Sequence, residues 1–275
     1  MRNILIIAGK EIQEGMRNRW VLATTLLLAA LALTLSFLGS APTGNVGVNQ
    51  LDIVIVSLSS LTIFLVPLIA LVLSHDAVVG EMERGTMLLL LSYPLGRRQI
   101  IFGKFLGHLA ILTFATLAGY GAAAAALVVT GTVIGASSWW AFSAMLCSSI
   151  LLGAVFIAIG YLTSTLARER TTAGGIAIGI WLFFVLIYDM ALLGALVAAQ
   201  GRAFPPRLLD ILLLFNPTDA YRLLNLGSGN VGSLSGMSGI AEHAALSTPL
   251  LVGTLIIWTL GPLALATMIF SRREL

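Results

Sequence analysis

The sequence predicts an all-α membrane protein with six transmembrane helices. Apolar residues make up 58% of its 275 positions and charged residues only 10%, against about 25% charged in a soluble domain. A bilayer core of about 30 Å needs roughly 20 consecutive apolar residues in a helix. Six runs meet this requirement, at residues 20–41, 53–74, 101–133, 139–166, 173–199 and 246–270. We therefore expect a single transmembrane domain over residues 1–275.

The basic residues predict the orientation of these spans. Of fifteen, four precede the first span, four lie between the second and third, two between the fourth and fifth, and two follow the sixth. Only Arg202, Arg207 and Arg222 fall on the other side. By the positive-inside rule both termini are cytoplasmic. The sequence pI of about 9.4 then reports topology, and no soluble basic face remains to bind nucleic acid.

The first nineteen residues predict an amphipathic helix at the inner membrane interface. Ile4, Ala8, Ile12 and Met16 recur every four residues, with charged residues on the opposite side. This helix would either anchor the chain or, as an elbow before the first span, also contact a cytoplasmic subunit.

A charged, glycine-punctuated island, residues Glu81–Lys104, separates the second and third apolar runs. Its charged side chains are too costly to place in lipid, so we expect them in water or against a partner. Thr86 or Ser92 would cap a short helix that ends by Pro94. The apolar ridge Met87–Leu91 would then need a partner surface, or would pack under the bundle.

The chain has no recognisable nucleotide-binding loop. Its nearest match, Gly96–Lys104, has the wrong glycine spacing, and Phe105 replaces the Ser or Thr that would hold Mg²⁺. We therefore expect no cofactor on this chain. It would be a channel, an ion-coupled carrier, or the membrane half of a machine that another polypeptide powers.

The island resembles the signature between the second and third spans of ABC-2-type permeases. Its pattern Glu-x-Glu-x-Gly-Thr begins at Glu81 and is followed by an apolar stretch, Ser-x-Pro, a basic pair and Gly-Lys. Lys10-Glu11-Ile12 matches the start of that family. Within the family, the dipeptide His75-Asp76, the segment Asn216-Pro-Thr-Asp-Ala-Tyr-Arg222 and the basic C-terminus resemble permeases that serve maturation of the copper enzyme nitrous oxide reductase.

That resemblance implies an ABC-2-type (type V) permease fold, with an elbow helix over residues 1–19 and a cytoplasmic coupling segment over residues 76–100. It implies a separate ATPase subunit that binds ATP and Mg²⁺, a second copy of this chain, and a periplasmic β-helical protein. Arg168, Glu169 and Arg170 would form a second cytoplasmic contact, or only a topogenic charge cluster. The residues expected at the ATPase contact are Glu81, Glu83, Arg84, Gly85, Thr86, Met87, Leu90, Pro94, Arg97 and Arg98.

Asp189 is an acid deep inside the fifth apolar run. An acid there is costly unless it faces a polar cavity or a donor, so Asp189 would line a pathway, lock two protomers or hydrogen-bond within one protomer. Gly175 and Gly179 in the same run permit close helix approach. We therefore predict the dimer interface on this span.

No metal ligands are predicted in the chain. Met145 and Cys147 carry the soft sulfur atoms that Cu(I) prefers, but residues two apart point to different faces of a helix. The histidines, His75, His108 and His243, are scattered over three segments.

Residues 200–247 form the predicted periplasmic region. The apolar stretch Leu208–Phe215 would dip into the outer leaflet, and a short helix would start at Asn216–Asp219. The Gly/Ser-rich stretch 227–239 would be a linker or a docking loop. The residues expected to dock a periplasmic partner are Leu212, Phe215, Asn216, Asp219, Tyr221 and Arg222.

Three classes of function remain open. The first is a permease that transmits ATPase strokes to a periplasmic factor for copper-site maturation of nitrous oxide reductase. The second is a general ABC-2 exporter of a lipid, drug or polymer, which an open lateral cavity would favour. An ion-coupled carrier or membrane enzyme is less favoured, because neither a clustered catalytic set nor inverted-repeat symmetry is visible.

Overall fold

The computed structural model describes residues 2–17, 19–38, 50–131, 134–198, 206–226 and 246–273, and the regular structure in these ranges is helical. A five-residue π-helix, Phe183–Ile187, joins the α-helix Arg170–Leu182 to the α-helix Tyr188–Ala198. The α-helices are α1 (Arg2–Met16), α2 (Arg19–Leu38), α3 (Gln50–Ser74), α4 (Val79–Glu83), α5 (Thr86–Leu91), α6 (Arg97–Val129), α7 (Ala136–Leu166), α8 (Arg170–Leu182), α9 (Tyr188–Ala198), α10 (Pro206–Phe215), α11 (Pro217–Leu226) and α12 (Thr248–Arg272).

Five segments of the described chain are long and apolar enough to cross a bilayer. They are α3 with α4, α6, α7, α8 with α9, and α12. The pair α1 and α2, bent by 70°, is a sixth candidate. The prediction of an all-α, multi-pass membrane protein is confirmed. At 1.5 Å per residue, α6 and α7 are about 50 and 46 Å long, so they extend beyond a hydrocarbon core of about 30 Å.

Helix α7 lies at the centre of the bundle and α8–α9 at its edge. In the most apolar part of α7, 67% of the residues are buried, against 11% for the span of α8 and α9. α7 packs along α3 and α12, and it also contacts α6 and α11. The low burial of α8–α9 leaves most of that span facing outward.

At one end of the bundle, arginine side chains hydrogen-bond to the ends of several helices. We call this end of the bundle the basic end. Arg97, at the start of α6, donates from Nη1 to the carbonyl oxygens of Phe270 and Arg273, at 3.1 and 2.7 Å. Arg273 in turn donates to the carbonyl oxygens of Thr165 and Ala167 at the end of α7. The last carbonyls of a helix lack partners within it, and a basic side chain satisfies them. The start of α6 and the ends of α7 and α12 are thereby joined.

At the opposite, far end, the helix pair α10–α11 packs into the bundle. α11 contacts α3, α7 and α12, and its Tyr221 is fully buried with its hydroxyl 3.0 Å from that of Ser149 on α7. The predicted helix start is confirmed, because Asn216 precedes α11 and accepts the backbone N–H of Thr218 at 3.0 Å.

Candidate functional site

The first part of the island folds into two short helices, α4 and α5, which are attached to the bundle at the start of α4. The backbone N–H groups of Val78 and Val79 both donate to Ser164 Oγ of α7, at 3.0 and 3.1 Å. Between α4 and α5, Gly85 adopts a φ of 70°, a left-handed conformation that is cheapest for glycine. This turn directs α5 away from α4.

An exposed apolar surface on and after α5 is the most prominent feature of the island. Leu88 and Leu89 are 60% and 67% exposed, and Tyr93 and Pro94 continue the same exposed stretch. We call these four residues the α5 surface. Met87, the first residue of the predicted ridge, is buried in the core. Its neighbours Leu88 and Leu89 are exposed, so the ridge does not lie on one surface. The sequence predicted a partner surface on the ridge that contains both leucines and placed Pro94 at the contact, but it did not indicate Tyr93.

The residues predicted for the ATPase contact differ in their exposure. Leu90 and Arg97 are half-buried, and Arg97 caps α12. Of the two residues predicted to cap the short helix, Ser92 is the C-cap residue of α5. Thr86 does not cap it, because its hydroxyl donates to the carbonyl oxygen of Glu81 at 3.2 Å. The members that are exposed are Glu83, Arg84, Gly85, Thr86, Pro94 and Arg98.

The expectation that Glu81 lies in water or against a partner is wrong. Lys104 Nζ donates to Glu81 Oε1 and to Glu11 Oε1, both at 2.7 Å. All three residues are buried, with Lys104 only 3% exposed. The physical reason is that α1 packs over the first half of α6 and closes this region from solvent. The ends of Lys104 and Glu81 can remain charged there because each has an opposite charge within hydrogen-bond distance.

The face of α1 that packs also differs from the prediction. Its buried residues are Ile7, Ala8 and Glu11, whereas the expected apolar face was centred on Ile4, Ala8, Ile12 and Met16. Leu5 and Ile6 are exposed. The buried Glu11 explains the difference. Because its side chain pairs with Lys104 of α6, the face of α1 that carries Glu11 packs against α6.

The segment Arg168–Arg170 lies beside the island. The backbone N–H of Arg170 donates to Glu83 Oε1 at 2.6 Å, and its guanidinium pairs with Asp76 at 2.8 Å. Arg168, Glu169 and Arg170 are exposed. The two regions that were predicted as separate cytoplasmic contacts are therefore parts of one polar surface at the basic end.

At the far end, Asp189 pairs within its own protomer through Oδ2, as one of the open alternatives predicted, whereas its Oδ1 is buried without a hydrogen-bond partner among the described residues. Arg222 donates to Asp189 Oδ2 at 2.5 Å and to Asp219 Oδ1 at 2.8 Å. Burial raises the pKa of Asp219 to about 7, the Arg222 guanidinium opposes that rise, and the second carboxylate, Asp189, adds to it. One guanidinium thus holds two acids, from α9 and α11.

The Asn-Pro-Thr-Asp segment binds the bundle and does not form an outer surface. Asn216 Nδ2 and Thr218 Oγ1 both donate to the carbonyl oxygen of Phe184, at 3.0 and 3.2 Å. Phe184 belongs to the π-helix, a rare element that often occurs at functional sites.

The expected docking role of Asn216, Asp219 and Tyr221 requires exposure, and all three are buried. Their polar atoms bond to each other, to Ser149 of α7, to the π-helix or to Arg222, which explains why they turn inward. Leu212 and Arg222 are half-buried, and Phe215 is exposed. Ile211, one turn before Phe215 in the predicted apolar stretch Leu208–Phe215, is also exposed. The stretch 227–239 lies outside the described residues.

Gly175 and Gly179 lie on the exposed side of α8. A Cβ at either position would meet nothing within 4 Å inside the protomer. No helix of the same chain, among the described residues, therefore packs closely at these two glycines. The dimer interface stays a prediction.

In the described part of the chain, no group of three His, Cys, Asp or Glu side chains is placed to hold a metal ion. Met145 is buried and Cys147 is exposed, so the two sulfur atoms face different surroundings. His108 Nδ1 lies 2.9 Å from the Tyr161 hydroxyl. His243 lies outside the described residues.

Comparison with known proteins relates the whole chain to one transporter family. Residues 5–275 match the model of the ABC-2 family of transporter proteins. A relative from Pseudomonas aeruginosa, named "Probable ABC transporter permease protein NosY", is 48% identical over 270 residues, which is 98% of each chain. A relative of the same name from Stutzerimonas stutzeri is 48% identical over 277 residues, or 99% of each chain.

Proposed function

This chain belongs to the ABC-2 family of transporter proteins, and from that premise we propose that it is the permease through which a separate ATPase drives copper-site maturation of nitrous oxide reductase. The similarity to two permeases named NosY, along nearly the full length of each, carries the proposal. The segments His75-Asp76 and Asn216–Arg222 give it independent support from the sequence.

The α5 surface is the proposed seat of the ATPase, which would be a NosF-like subunit with ATP and Mg²⁺ bound. An apolar patch of leucine, tyrosine and proline rimmed by charges is typical of a protein interface. The exposed Glu83, Arg84 and Arg98 supply the rim, and the segment Arg168–Arg170 extends it. The buried base of the island would carry a push on α5 into the bundle.

The remaining partners follow from the same assignment. The exposed span α8–α9, with Gly175 and Gly179, would meet a second copy of this chain. A NosD-like periplasmic β-helical protein would bind at the far end, where Ile211 and Phe215 are exposed. With the basic end in the cytoplasm, as the positive-inside rule requires, the protein would lie in the inner membrane with both termini cytoplasmic.

The test of the ATPase contact is a double substitution on the α5 surface. Leu88→Asp with Leu89→Asp should leave membrane insertion intact, because both side chains are already exposed, and should reduce co-purification of the ATPase at least ten-fold. Val129→Asp is the matched control, since Val129 is an exposed apolar residue at the far end. Normal ATPase binding by the double variant would refute the assignment.

A general ABC-2 exporter of an amphiphile is the second candidate, and one observation favours it. A cavity of about 310 Å³ lies between α2, α3 and α6. Val21, Ile69 and Ile111 are among its apolar lining residues, and Asp76 and Arg170 are at its polar mouth. Deletion of the gene separates the two functions. Normal nitrous oxide reduction in the deletion strain would favour the exporter, whereas its loss, restored by the wild-type gene, supports maturation.

A further inference from the structure

We propose that Lys104 is a positioning residue that locks α1 to the island, so that α1, α4, α5 and the start of α6 move as one body when the ATPase acts. This inference deepens the proposed function and rests on it, because a stroke requires an ATPase at the α5 surface. Four observations support it: the packing of α1, the ion pairs of Lys104, the link to α5 and the nature of the cluster.

Helix α1 runs parallel to the first half of α6 with its backbone in close contact. Four contacts join a residue of α1 to one 96 positions later: Asn3 with Gln99, Ile7 with Gly103, Glu11 with Gly107 and Gly15 with Ile111. A Cβ at Gly103 would come within 3.0 Å of the Ile4 carbonyl oxygen, and one at Gly107 within 3.1 Å of the Ala8 carbonyl oxygen. α1 therefore follows α6 from Gln99 to Ile111, and at Gly103 and Gly107 it lies directly against glycine backbone.

The two residues that follow these glycines carry the polar contacts of the same interface. Lys104 donates to Glu11 from α1 and to Glu81 from α4, both at 2.7 Å. His108 Nε2 lies 3.5 Å from the other oxygen of Glu11, and its Nδ1 meets Tyr161 of α7. One lysine and one histidine thus join four elements in a buried site.

A short chain of contacts leads from the α5 surface to α1. The hydroxyl of Thr86, the first residue of α5, donates to the Glu81 carbonyl oxygen. The Glu81 side chain pairs with Lys104, and Lys104 pairs with Glu11. A displacement of α5 would therefore reach α1 without passing through a flexible segment.

The cluster holds three helices together with charges that are costly to remove from water. Apolar side chains of similar volume often stabilise a buried site as well as an ion pair does, whereas loss of one partner leaves an uncompensated charge. Glu81 Oε2 also has no hydrogen-bond partner among the described residues. Ion pairs with defined hydrogen bonds also fix the orientation of the helices relative to one another. Transmission of a stroke requires such a fixed orientation.

Removal of all three charges together tests the lock without leaving a lone buried charge. The triple variant Lys104→Met, Glu11→Gln and Glu81→Gln should insert, retain the ATPase and hydrolyse ATP, while nitrous oxide reductase maturation falls at least ten-fold. The matched control is Lys10→Met with Glu14→Gln, an exposed pair on the same helix, which should mature the enzyme normally. Full maturation by the triple variant would overturn the inference.

A distance measurement decides the question if the triple variant fails to insert. Spin labels at Glu14→Cys and Ser92→Cys, in a Cys147→Ser chain diluted with unlabelled protomers, report the distance between α1 and the end of α5. With the ATPase bound, this distance should stay the same with and without trapped ATP. A change of more than about 2 Å, the size of a helix shift at an interface, would refute the lock. Loss of ATPase binding by the wild-type chain would instead refute the proposed function.

Discussion

Arg97 donates a hydrogen bond of 2.7 Å to the carbonyl oxygen of Arg273, 176 residues later in the chain. This contact joins the island to the C-terminal end of α12. It also changes the role expected for Arg97, because a guanidinium that caps a helix is less available to a partner protein.

Substitution of Arg97 should therefore affect the permease itself more than its ATPase contact. Arg97→Ala removes hydrogen bonds to three carbonyl oxygens and should lower the free energy of unfolding by about 1–2 kcal/mol. Arg98→Ala is the control, since Arg98 is exposed and adjacent. Thermal unfolding in detergent measures both. Unchanged stability of Arg97→Ala together with loss of the ATPase would show that Arg97 binds the partner directly.

Arg222 should be the most sensitive residue at the far end. Arg222→Met leaves the carboxylates of Asp189 and Asp219 without their shared cation, and should cost about 3–5 kcal/mol. Asp189→Asn should cost less, because Arg222 keeps Asp219. Arg207→Met, at the exposed start of α10, is the control for loss of a basic residue. Equal stability of Arg222→Met and Arg207→Met in denaturant titrations would contradict this ordering.

The protonation of Asp219 should make stability depend on pH. Its folded pKa, about 7, lies above the value of 3.8 for an exposed aspartate. The folded state therefore binds the proton more tightly, and this stabilisation is complete below pH 3.8 and is lost as the pH rises through 7. From pH 6 to pH 8 the wild type should lose about 1 kcal/mol more than Asp219→Asn. Identical losses in the two proteins, measured by thermal unfolding, would rule out this role of Asp219.

Glycines of α6 should tolerate alanine only where no neighbouring helix packs against them. Gly107→Ala places a Cβ against the Ala8 carbonyl oxygen and should destabilise the protein by about 1–3 kcal/mol. Gly121→Ala, in the same helix with nothing within 4 Å, should be neutral or stabilising by up to about 1 kcal/mol. Proteolysis at residues of α1 should increase only in the first variant. Equal protection of α1 in both variants would contradict the close packing of α1 on α6.

The sequence by itself determined the class of protein, the order of the five apolar spans found among the described residues and the place of the charged island. These features are local, because a helix long enough to cross the bilayer needs about 20 apolar residues wherever the rest of the chain lies. The helix start at Asn216 was also predictable, since its side chain accepts the N–H of Thr218 two residues later.

Only the tertiary structure decided which polar residues face outward. Glu81 and Glu83 are two positions apart in the same motif, yet Glu81 is buried against Lys104 and Glu83 is exposed beside Arg170. Lys104 meets Glu11 across 93 residues, and Asn216 meets the Phe184 carbonyl across 32. A buried charge or amide is stable only beside its partner, and no spacing within one segment indicates partners that lie so far apart in the chain.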